Sequence, residues 1–341
     1  MARLNVGLIG LGRLGQVYAR DLASRIAATR LVAVADVDVD LAKRTASAFD
    51  VSKAYGDAAD LIADPNVDAV VVVSPTHTHR GIVVEALEAR KPTFCEKPPS
   101  ISLGEAESMA AAEARTGTFF QMGFMRRFDA GYASAKRQID DGGIGRPVVF
   151  KSTSRDPFPP SVSYADPKSS GGIFVDMGIH DFDLARWLIG DVARVQAVGA
   201  VLSVKEFEAV GDHDNAVATL TFSDGRLGIV DLTRTGYYGY DISTDVLGTE
   251  GTVRVGYLRE TPMLLMTRNS VAHDTVPYFM ERFERAYTAQ LADFADNVQR
   301  GRPAPVTIRD GIEALRIALA AARACDTGRA VDVQALTAQT I

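Results

Sequence analysis

Residues 4–15 read LNVGLIGLGRLG, and this stretch decides the fold of the first third of the chain. Residues 4–9 form a continuous apolar run of strand length, which is typical of a strand buried on both faces. Glycines follow at once, and a helical pattern then continues to about residue 28. The stretch therefore predicts a strand, a tight turn and a helix in immediate succession.

The turn carries Gly10, Gly12 and Gly15, a spacing found where a dinucleotide approaches the start of a helix. Backbone amides there can hold a pyrophosphate, and the missing side chains permit its close approach. Alternatively, the glycines only shape a tight turn and Asp36 only caps a loop. The strand, turn and helix context favours dinucleotide binding.

A second predicted strand, residues 31–35, ends in Asp36, about twenty residues past the last glycine. An aspartate at this place can accept a hydrogen bond from the ribose 2′-hydroxyl and would repel a 2′-phosphate. The next residue is Val37, where a phosphate site would need an arginine or serine. We therefore expect NAD, although Lys43 and Arg44 are near enough in sequence to keep NADP as an alternative.

Strands and helices continue to alternate, which predicts a parallel, doubly wound sheet. The strands are expected over residues 69–73, 93–95 and 118–122, and the helices over residues 80–89 and 103–116. Ligands of such sheets bind beyond the carboxyl ends of the strands. Ser74, Thr76 and His79 follow one of these ends, where they contact a cofactor or are ordinary loop residues.

Lys97 follows the next strand, at the same edge of the sheet. Pro98 and Pro99 fix its backbone, and a desolvated ammonium there could polarise a hydroxyl or carbonyl oxygen. From the spacing alone, a salt bridge between Glu96 and Lys97 explains the pair equally well.

Length and composition exclude several classes of protein. At 341 residues we expect two domains, and 47% hydrophobic with 23% charged residues is a globular composition. A net charge of −6 offers no basic patch for nucleic acid, no apolar run could span a membrane, and the five histidines show no zinc spacing, so no metal is expected. Because the amino terminus resembles a strand rather than an export signal and the two cysteines show no pairing pattern, we expect a cytoplasmic protein.

From residue 147 the pattern changes to repeated strands, which predicts a mostly antiparallel sheet, and the pattern does not decide what meets its second face. The strands are expected over residues 148–152, 195–204, 216–222, 227–233, 242–247 and 252–255, with a hairpin turn at 223–226. Residues 154–170 hold four prolines and five serines, which predicts a long loop that is either a flap over the substrate or a connector. Helices over residues 281–299 and 309–324 are expected to brace the two domains.

Within this second part, residues 176–189 have the pattern of a helix packed on a core. Asp176, His180 and Asp183 would then lie within about 60° of one another on one face. A histidine flanked by acids suits proton transfer, whereas a lone histidine is more often part of a core. Asp181 falls on the apolar side, and the pattern gives no reason for it.

These features together resemble the glucose-fructose oxidoreductase/inositol dehydrogenase (Gfo/Idh/MocA) family over nearly the whole chain. The resemblance is based on the glycine turn, Asp36 and the segments at 96–98, 121–123 and 171–180. It implies an NAD-binding Rossmann domain over residues 1–123. It also implies a substrate-binding and oligomerisation domain over 124–341, whose open sheet face forms dimers and tetramers, so we expect a homotetramer.

The resemblance also implies roles for individual residues. In the family the peptide bond before the proline that matches Pro98 is usually cis, so we expect a cis bond here. The catalytic residues would be Lys97, Asp176 and His180. The residues expected to contact the cofactor are Gly10, Gly12, Arg13, Leu14, Gly15, Asp36, Ser74, Thr76, His79, Glu96, Lys97 and Gln121.

Segments at 123–132, 154–157, 179–187 and 238–241 are similar to inositol 2-dehydrogenases within the family. This implies NAD-dependent oxidation of myo-inositol to its 2-keto product, with His180 as the base, since a histidine's ordinary pKa of about 6.5 suits this role near neutral pH. The alternatives are scyllo-inositol, another inositol isomer, a pyranose sugar, or a regulator that senses dinucleotide without chemistry. The residues expected to bind the substrate are Lys97, Arg127, Asp156, Asp176, His180, Asp183, Tyr238 and Tyr240.

Overall fold

The computed structural model describes residues 2–338, and the chain divides into two compact units. The first unit contains the residues up to 125 together with residues 285–313. The second contains residues 126–284 and the described residues from 314 onward. The region predicted as a second domain, 124–341, is thus interrupted by residues that group with the first unit.

The first unit is built on a parallel sheet of six strands, as predicted. The strands are β1 (Leu4–Ile9), β2 (Thr29–Ala35), β3 (Lys53–Tyr55), β4 (Ala69–Val72), β5 (Thr93–Glu96) and β6 (Phe120–Gly123). Their order is β3-β2-β1-β4-β5-β6, so the winding direction reverses between β1 and β4. The two strands that meet there carry the glycine turn and Ser74, at the point where doubly wound sheets bind ligands.

Helices connect these strands. They are α1 (Arg13–Arg20), α2 (Val39–Ala48), α3 (Ala58–Ala63), α4 (Thr76–Glu88) and α5 (Leu103–Thr116). Aspartate side chains cap the amino termini of α2 and α3. Asp38 accepts a hydrogen bond from the amide of Leu41, and Asp57 accepts one from the amide of Ala59. The helix predicted to reach residue 28 is shorter: α1 passes into a π-helical turn over Asp21–Arg25.

The second unit contains a sheet of seven strands, and its mostly antiparallel character is confirmed. The strands of this unit are β7 (Pro147–Arg155), β8 (Val192–Ala200), β9 (Asn215–Phe222), β10 (Leu227–Thr233), β11 (Asp241–Gly248), β12 (Thr252–Val255), β13 (Leu265–Met266), β14 (Val271–Ala272) and β15 (Val331–Asp332). The large sheet has the order β12-β11-β7-β10-β9-β8-β15, in which β7 and β10 are parallel. The predicted hairpin joins β9 to β10, with the amide of Phe222 bonded to the carbonyl of Arg226.

Burial alternates along the strands of this sheet. In β9, Ala218 and Leu220 are buried, whereas the alternate residues Val217 and Thr219 are exposed. In β9 the even positions therefore pack against the core of the unit, and the odd positions lie on the uncovered face of this chain. The sequence alone left the covering of this face open.

Further helices complete the chain. They are α6 (Ala130–Asp140), α7 (Val162–Ala165), α8 (Pro167–Ser170), α9 (Gly172–Asp176), α10 (Ile179–Leu188), α11 (Phe279–Arg300) and α12 (Ile308–Thr327). The loop predicted at 154–170 thus includes two single-turn helices. Within residues 2–338, no helix combines the length and the apolar character needed to cross a membrane.

Candidate active site

The glycine turn joins β1 to α1 in the first unit. Gly10 has a φ of +92°, and a Cβ on it would lie 2.5 Å from the backbone nitrogen of Ser74, so a side chain is excluded there. Gly12 precedes the first turn of α1, and no heavy atom of the described chain lies within 4 Å of the place its Cβ would take. Since first-turn amides have no partner within a helix, this open space fits a pyrophosphate.

Asp36 lies beside the same turn. Its Oδ2 accepts a hydrogen bond from the amide of Leu11 at 2.7 Å, and its Oδ1 accepts one from the amide of Asp38 at 3.0 Å. Each oxygen retains a second lone pair, which a ribose hydroxyl can use. Val37 is 93% exposed and brings no positive charge for a 2′-phosphate. The turn and this carboxylate together fit NAD.

Ser74 lies in the turn after β4, and Thr76 and His79 lie at the start of the helix that follows it. Thr76 is half-buried and opens α4, and the hydroxyl of Ser74 is 2.6 Å from that of Thr78. His79 is buried, with Nδ1 2.9 Å from the carbonyl oxygen of Pro98 and Nε2 2.8 Å from that of Ser74. Burial lowers the pKa of His79. The His79 ring therefore links the end of β4 to the loop after β5, and its contact with the cofactor stays a prediction.

Lys97 stands in that loop, and the expected cis bond to Pro98 is present. The neighbouring Glu96 side chain is buried and accepts hydrogen bonds from the Tyr18 hydroxyl, from Nε2 of Gln290 at 3.0 Å and from the Lys97 amide at 3.1 Å. Burial raises the pKa of the Glu96 carboxyl. The Glu96 side chain thus makes internal contacts that anchor the loop carrying Lys97, and its contact with the cofactor stays a prediction.

Gln121 was expected to contact the cofactor, but it is fully buried in β6. Its Nε2 lies 3.4 Å from the carbonyl oxygen of Gln290 and 3.3 Å from Oδ2 of Asp293. Both partners belong to α11 within the same unit, so the side chain joins this helix to the sheet.

In the second unit, the single helix predicted over residues 176–189 is wrong. Asp176 ends α9, and α10 begins three residues later. The amide of Gly178 bonds to the carbonyl of Ile173, five residues back, at 3.0 Å, which interrupts the regular ladder. Asp176 and His180 therefore flank a break between two helices instead of sharing one helical face.

The carboxylate of Asp176 is contacted from two directions. The Tyr164 hydroxyl donates to Oδ1 at 3.0 Å, and Nη2 of Arg234 lies 3.6 Å from Oδ2. The negative charge of Asp176, together with burial, raises the pKa of Tyr164, so this hydroxyl keeps its proton. Since Tyr164 stands in the segment 154–170, the predicted flap or connector supplies a direct contact to Asp176. His180 is itself buried.

Asp181, which the sequence pattern left unexplained, is fully buried and ion-paired. Its Oδ1 is 2.8 Å from Nη1 of Arg126 and accepts the hydroxyl of Ser152 at 2.6 Å. The hydroxyl of Ser154 lies within 2.9 Å of both carboxylate oxygens. Asp181 therefore ties α10 to β7.

Arg127 and Asp183, both expected to grip substrate hydroxyls, are bonded to each other. Nε of Arg127 lies 2.9 Å from Oδ2 of Asp183, and its Nη2 lies 2.5 Å from Oδ1. The Asp183 side chain is only 1% exposed, and the guanidinium lies 5.7 Å from the ring centre of Trp187. The geometry makes Asp183 the residue that orients Arg127.

The expected pair Tyr238 and Tyr240 is divided between two environments. Tyr240 is buried and packs against Tyr278, with 5.6 Å between the ring centres. Burial raises the pKa of Tyr240, and the negative charge of Asp156 raises it further. Tyr238 is half exposed, donates to Asp241 at 2.7 Å and accepts from Arg155 at 3.0 Å.

These two partners of Tyr238 are paired residues of β11 and β7. Because Ser152 and Ser154 of β7 contact α10, the alternation of a strand turns Arg155 to the other face of the sheet. The structure therefore brings Tyr240, but not Tyr238, to the α10 side.

Sequence reasoning missed four side chains that hold the predicted ones. Tyr18 and Gln290 anchor Glu96, while Tyr164 and Arg234 contact Asp176. Only Arg234 had a usable signal, because it follows a predicted strand directly, as Asp36 does. Among residues 2–338, no cluster of three histidine, cysteine, aspartate or glutamate side chains could hold a metal ion.

Comparison with known proteins gives a consistent result over the whole chain. A Thermotoga maritima protein named myo-inositol 2-dehydrogenase is 39% identical, covering 97% of this chain and 99% of the relative. A Bacillus subtilis protein named scyllo-inositol 2-dehydrogenase (NAD(+)) is 37% identical, covering 99% and 98%. A crystal structure of a "probable dehydrogenase" from Thermotoga maritima superposes with a TM-score of 0.94 at 39% identity, covering 98% of this chain and 100% of that one.

Residues 4–124 match the family described as "Oxidoreductase family, NAD-binding Rossmann fold". Residues 136–333 match its companion, "Oxidoreductase family, C-terminal alpha/beta domain". The cofactor of the first unit is thus NAD, in agreement with the glycine turn and Asp36. The chain belongs to the Gfo/Idh/MocA family of NAD-dependent oxidoreductases.

Proposed function

We propose that the protein oxidises one secondary alcohol of a cyclic polyol to a ketone, and that this polyol is myo-inositol, giving 2-keto-myo-inositol (scyllo-inosose). The observation that carries the proposal is the similarity, over nearly the full length, to a relative named myo-inositol 2-dehydrogenase. The presence of Lys97, Asp176 and His180 in their motifs supports catalysis over mere sensing of the dinucleotide.

In the proposed reaction, the carbon that bears the reacting hydroxyl loses its hydrogen as a hydride, and bound NAD would supply the acceptor, the nicotinamide C4. His180 takes the proton of the reacting hydroxyl on an imidazole nitrogen. Asp176 orients that imidazole and stabilises its protonated form, and Lys97 donates a hydrogen bond to the reacting oxygen as negative charge develops on it.

Recognition of a ring that carries many hydroxyls requires fixed donors and acceptors. Arg127 is held rigidly by Asp183, and Asp156 and Tyr240 provide a carboxylate and a phenol on the α10 side. We propose that these groups bind the hydroxyls that do not react. Such a site discriminates strongly because a buried polar group left unpaired costs about 1–3 kcal/mol.

A second candidate is scyllo-inositol, since a relative of almost equal identity is named for that isomer. The test measures NADH formation with a panel of myo-inositol, scyllo-inositol, other inositol isomers and glucose. The highest kcat/KM on myo-inositol is expected. A higher kcat/KM on scyllo-inositol would assign that isomer as the substrate. A higher kcat/KM on glucose than on any inositol would overturn the assignment to inositols.

The role of His180 is tested by His180→Ala. Loss of the base should lower kcat by about 10²–10⁴-fold while the Kd for NAD stays nearly constant. His273→Ala is the matched control, because this histidine of the same unit is exposed. If His180→Ala turned over at the wild-type rate, His180 would not be the base. If the wild type bound NAD but oxidised none of the panel, the regulator would be the better interpretation.

We also propose that the enzyme is cytoplasmic and assembles as a homotetramer through the uncovered face of the seven-stranded sheet. Apolar side chains on that face are exposed in the single chain, among them Val198 at 64% and Val217 at 42%. Light scattering should give a mass four times 36.6 kDa. A monomer at micromolar concentration would contradict the proposed assembly.

A further inference from the structure

Arg234 is the largest fully buried side chain of the second unit, and it directly follows β10. A buried guanidinium is costly unless carboxylates or other acceptors balance its charge. Two carboxylates are near: Nη2 of Arg234 lies 3.2 Å from Oδ2 of Asp212 and 3.6 Å from Oδ2 of Asp176. One arginine is thus shared by two acids.

Arg234 contacts these acids by charge attraction rather than by paired hydrogen bonds. Within residues 2–338, neither terminal nitrogen of Arg234 has a hydrogen-bond partner, although both are buried. Arginine normally binds a carboxylate through two parallel hydrogen bonds. Here a single nitrogen faces both acids, and the guanidinium also lies 5.7 Å from the ring centre of Phe207. Arg234 therefore acts mainly through its positive charge.

Asp212 anchors this arrangement to the helix that ends in Asp176. Its Oδ1 accepts the amide of Ile173 in the first turn of α9 at 2.9 Å, while its Oδ2 faces Arg234. The fit is close, since a Cβ on Gly172 would lie 2.9 Å from Oδ1 of Asp212. The same carboxylate thus fixes both the start of α9 and the guanidinium.

Asp176 is then held at both oxygens by groups of different character. Tyr164 donates a hydrogen bond to Oδ1, and Arg234 lies against Oδ2. The Asp176 side chain is 17% exposed, whereas those of Asp212 and Arg234 are 3% and 1% exposed. The exposed end of this charged cluster is therefore Asp176.

We propose that Arg234 is a positioning residue for the oxidation reaction: its charge fixes the Asp176 carboxylate that orients His180, and Asp212 holds the guanidinium in place. This inference depends on the proposed function, in which His180 is the base. Arg234 itself touches neither the substrate nor NAD in this role.

The experiment compares Arg234→Gln, Arg234→Lys and Asp212→Asn in the full-length enzyme. Arg234→Gln should lower kcat by about 10- to 100-fold, part of the 10²–10⁴-fold contributed by an acid or base, with the KM for NAD unchanged. Arg234→Lys should recover most of kcat, because a point charge can replace a contact made by one nitrogen. Asp212→Asn keeps the oxygen that accepts from the amide of Ile173 but removes the negative charge that holds the guanidinium, so kcat should fall by less than in Arg234→Gln.

Arg194→Gln is the control, since Arg194 pairs with Asp332 at an exposed site of the same unit. If Arg234→Gln turned over normally in an enzyme whose wild type oxidises the polyol, the inference would be wrong and the proposed function would stand. A loss of kcat in Arg234→Lys equal to that in Arg234→Gln would also overturn it, because failure of the charge-keeping variant to rescue turnover indicates a purely structural role.

A readout without turnover separates the two proposals. The thermal midpoints of Arg234→Gln, Asp176→Asn and the double variant form a cycle that measures the coupling between the two side chains. If the two substitutions were coupled but the wild type oxidised no polyol, the contact between Arg234 and Asp176 would be supported and the proposed function would be rejected. Additive midpoints would reject the contact itself.

Discussion

Replacing Asp181 by Asn tests whether the ion pair beneath α10 is needed for folding. Asp181 and Arg126 have side chains that are 0% and 3% exposed, so the substitution leaves a buried guanidinium without its counter-charge. Breaking one partner of such a pair costs about 3–5 kcal/mol, a large part of the 5–15 kcal/mol that stabilises a typical domain. For a unit of this size we expect the thermal midpoint to fall by about 6–20 °C.

The assay is thermal unfolding followed by circular dichroism, with Asp332→Asn as the matched control. Asp332 makes the same kind of contact with Arg194, but both side chains are about 60% exposed, so its loss should cost about 0–1 kcal/mol. The double variant Arg126→Met/Asp181→Leu removes both charges and should recover most of the stability. If Asp181→Asn shifted the midpoint no more than Asp332→Asn, the buried pair would have no special role in stability.

Three further substitutions test the first unit. Gly12→Ala should leave the thermal midpoint nearly unchanged, since no described heavy atom lies within 4 Å of the new Cβ. The same substitution should raise the Kd for NAD by about tenfold or more, because the methyl group occupies the space expected for the pyrophosphate. An unchanged Kd in calorimetry would place the pyrophosphate elsewhere. Asp36→Ala should weaken the binding of NAD by about 1.5–3 kcal/mol and reduce the preference for NAD over NADP. Equal affinities of the wild type for the two cofactors would contradict the role of Asp36. Because burial lowers the pKa of His79, the unfolded chain binds that proton more tightly, and stability should fall as pH drops below about 6.5. His79→Gln should flatten this part of the pH curve, whereas a greater loss of stability at low pH in the variant would indicate an imidazolium that donates to both carbonyls.

The parts of the fold that were predictable are those that short stretches determine. The apolar run of β1, its glycines and the alternation in β9 each specify their element locally, and the structure has them where they were expected. The break between α9 and α10 was not predictable, because Gly178 is required by its neighbours. A Cβ there would lie 2.8 Å from the carbonyl oxygen of Phe174 and 2.9 Å from the side chain of Leu232, a residue of β10 that lies far along the chain.

The residues of the site were harder to interpret than the fold. A polar residue at a strand end can face a ligand or another element, and the sequence does not distinguish the two. Glu96 and Gln121 were both assigned to the cofactor, yet both contact α11, whose residues lie about 170 to 190 positions later in the chain. Their burial depends on a helix that no local pattern connects to them.

Three acids near His180 show what such distant contacts decide. Each lies against one arginine: Asp176 with Arg234, Asp181 with Arg126, and Asp183 with Arg127. Asp181 and Asp183 are two residues apart and hence about 200° apart around α10, so the consecutive arginines hold opposite sides of the helix by direct hydrogen bonds. Asp176 differs from them, because its arginine lies at 3.6 Å and its side chain is 17% exposed, against 0% and 1% for the other two. The two buried acids therefore fix the helix that carries His180, and Asp176 is the most exposed of the three acids.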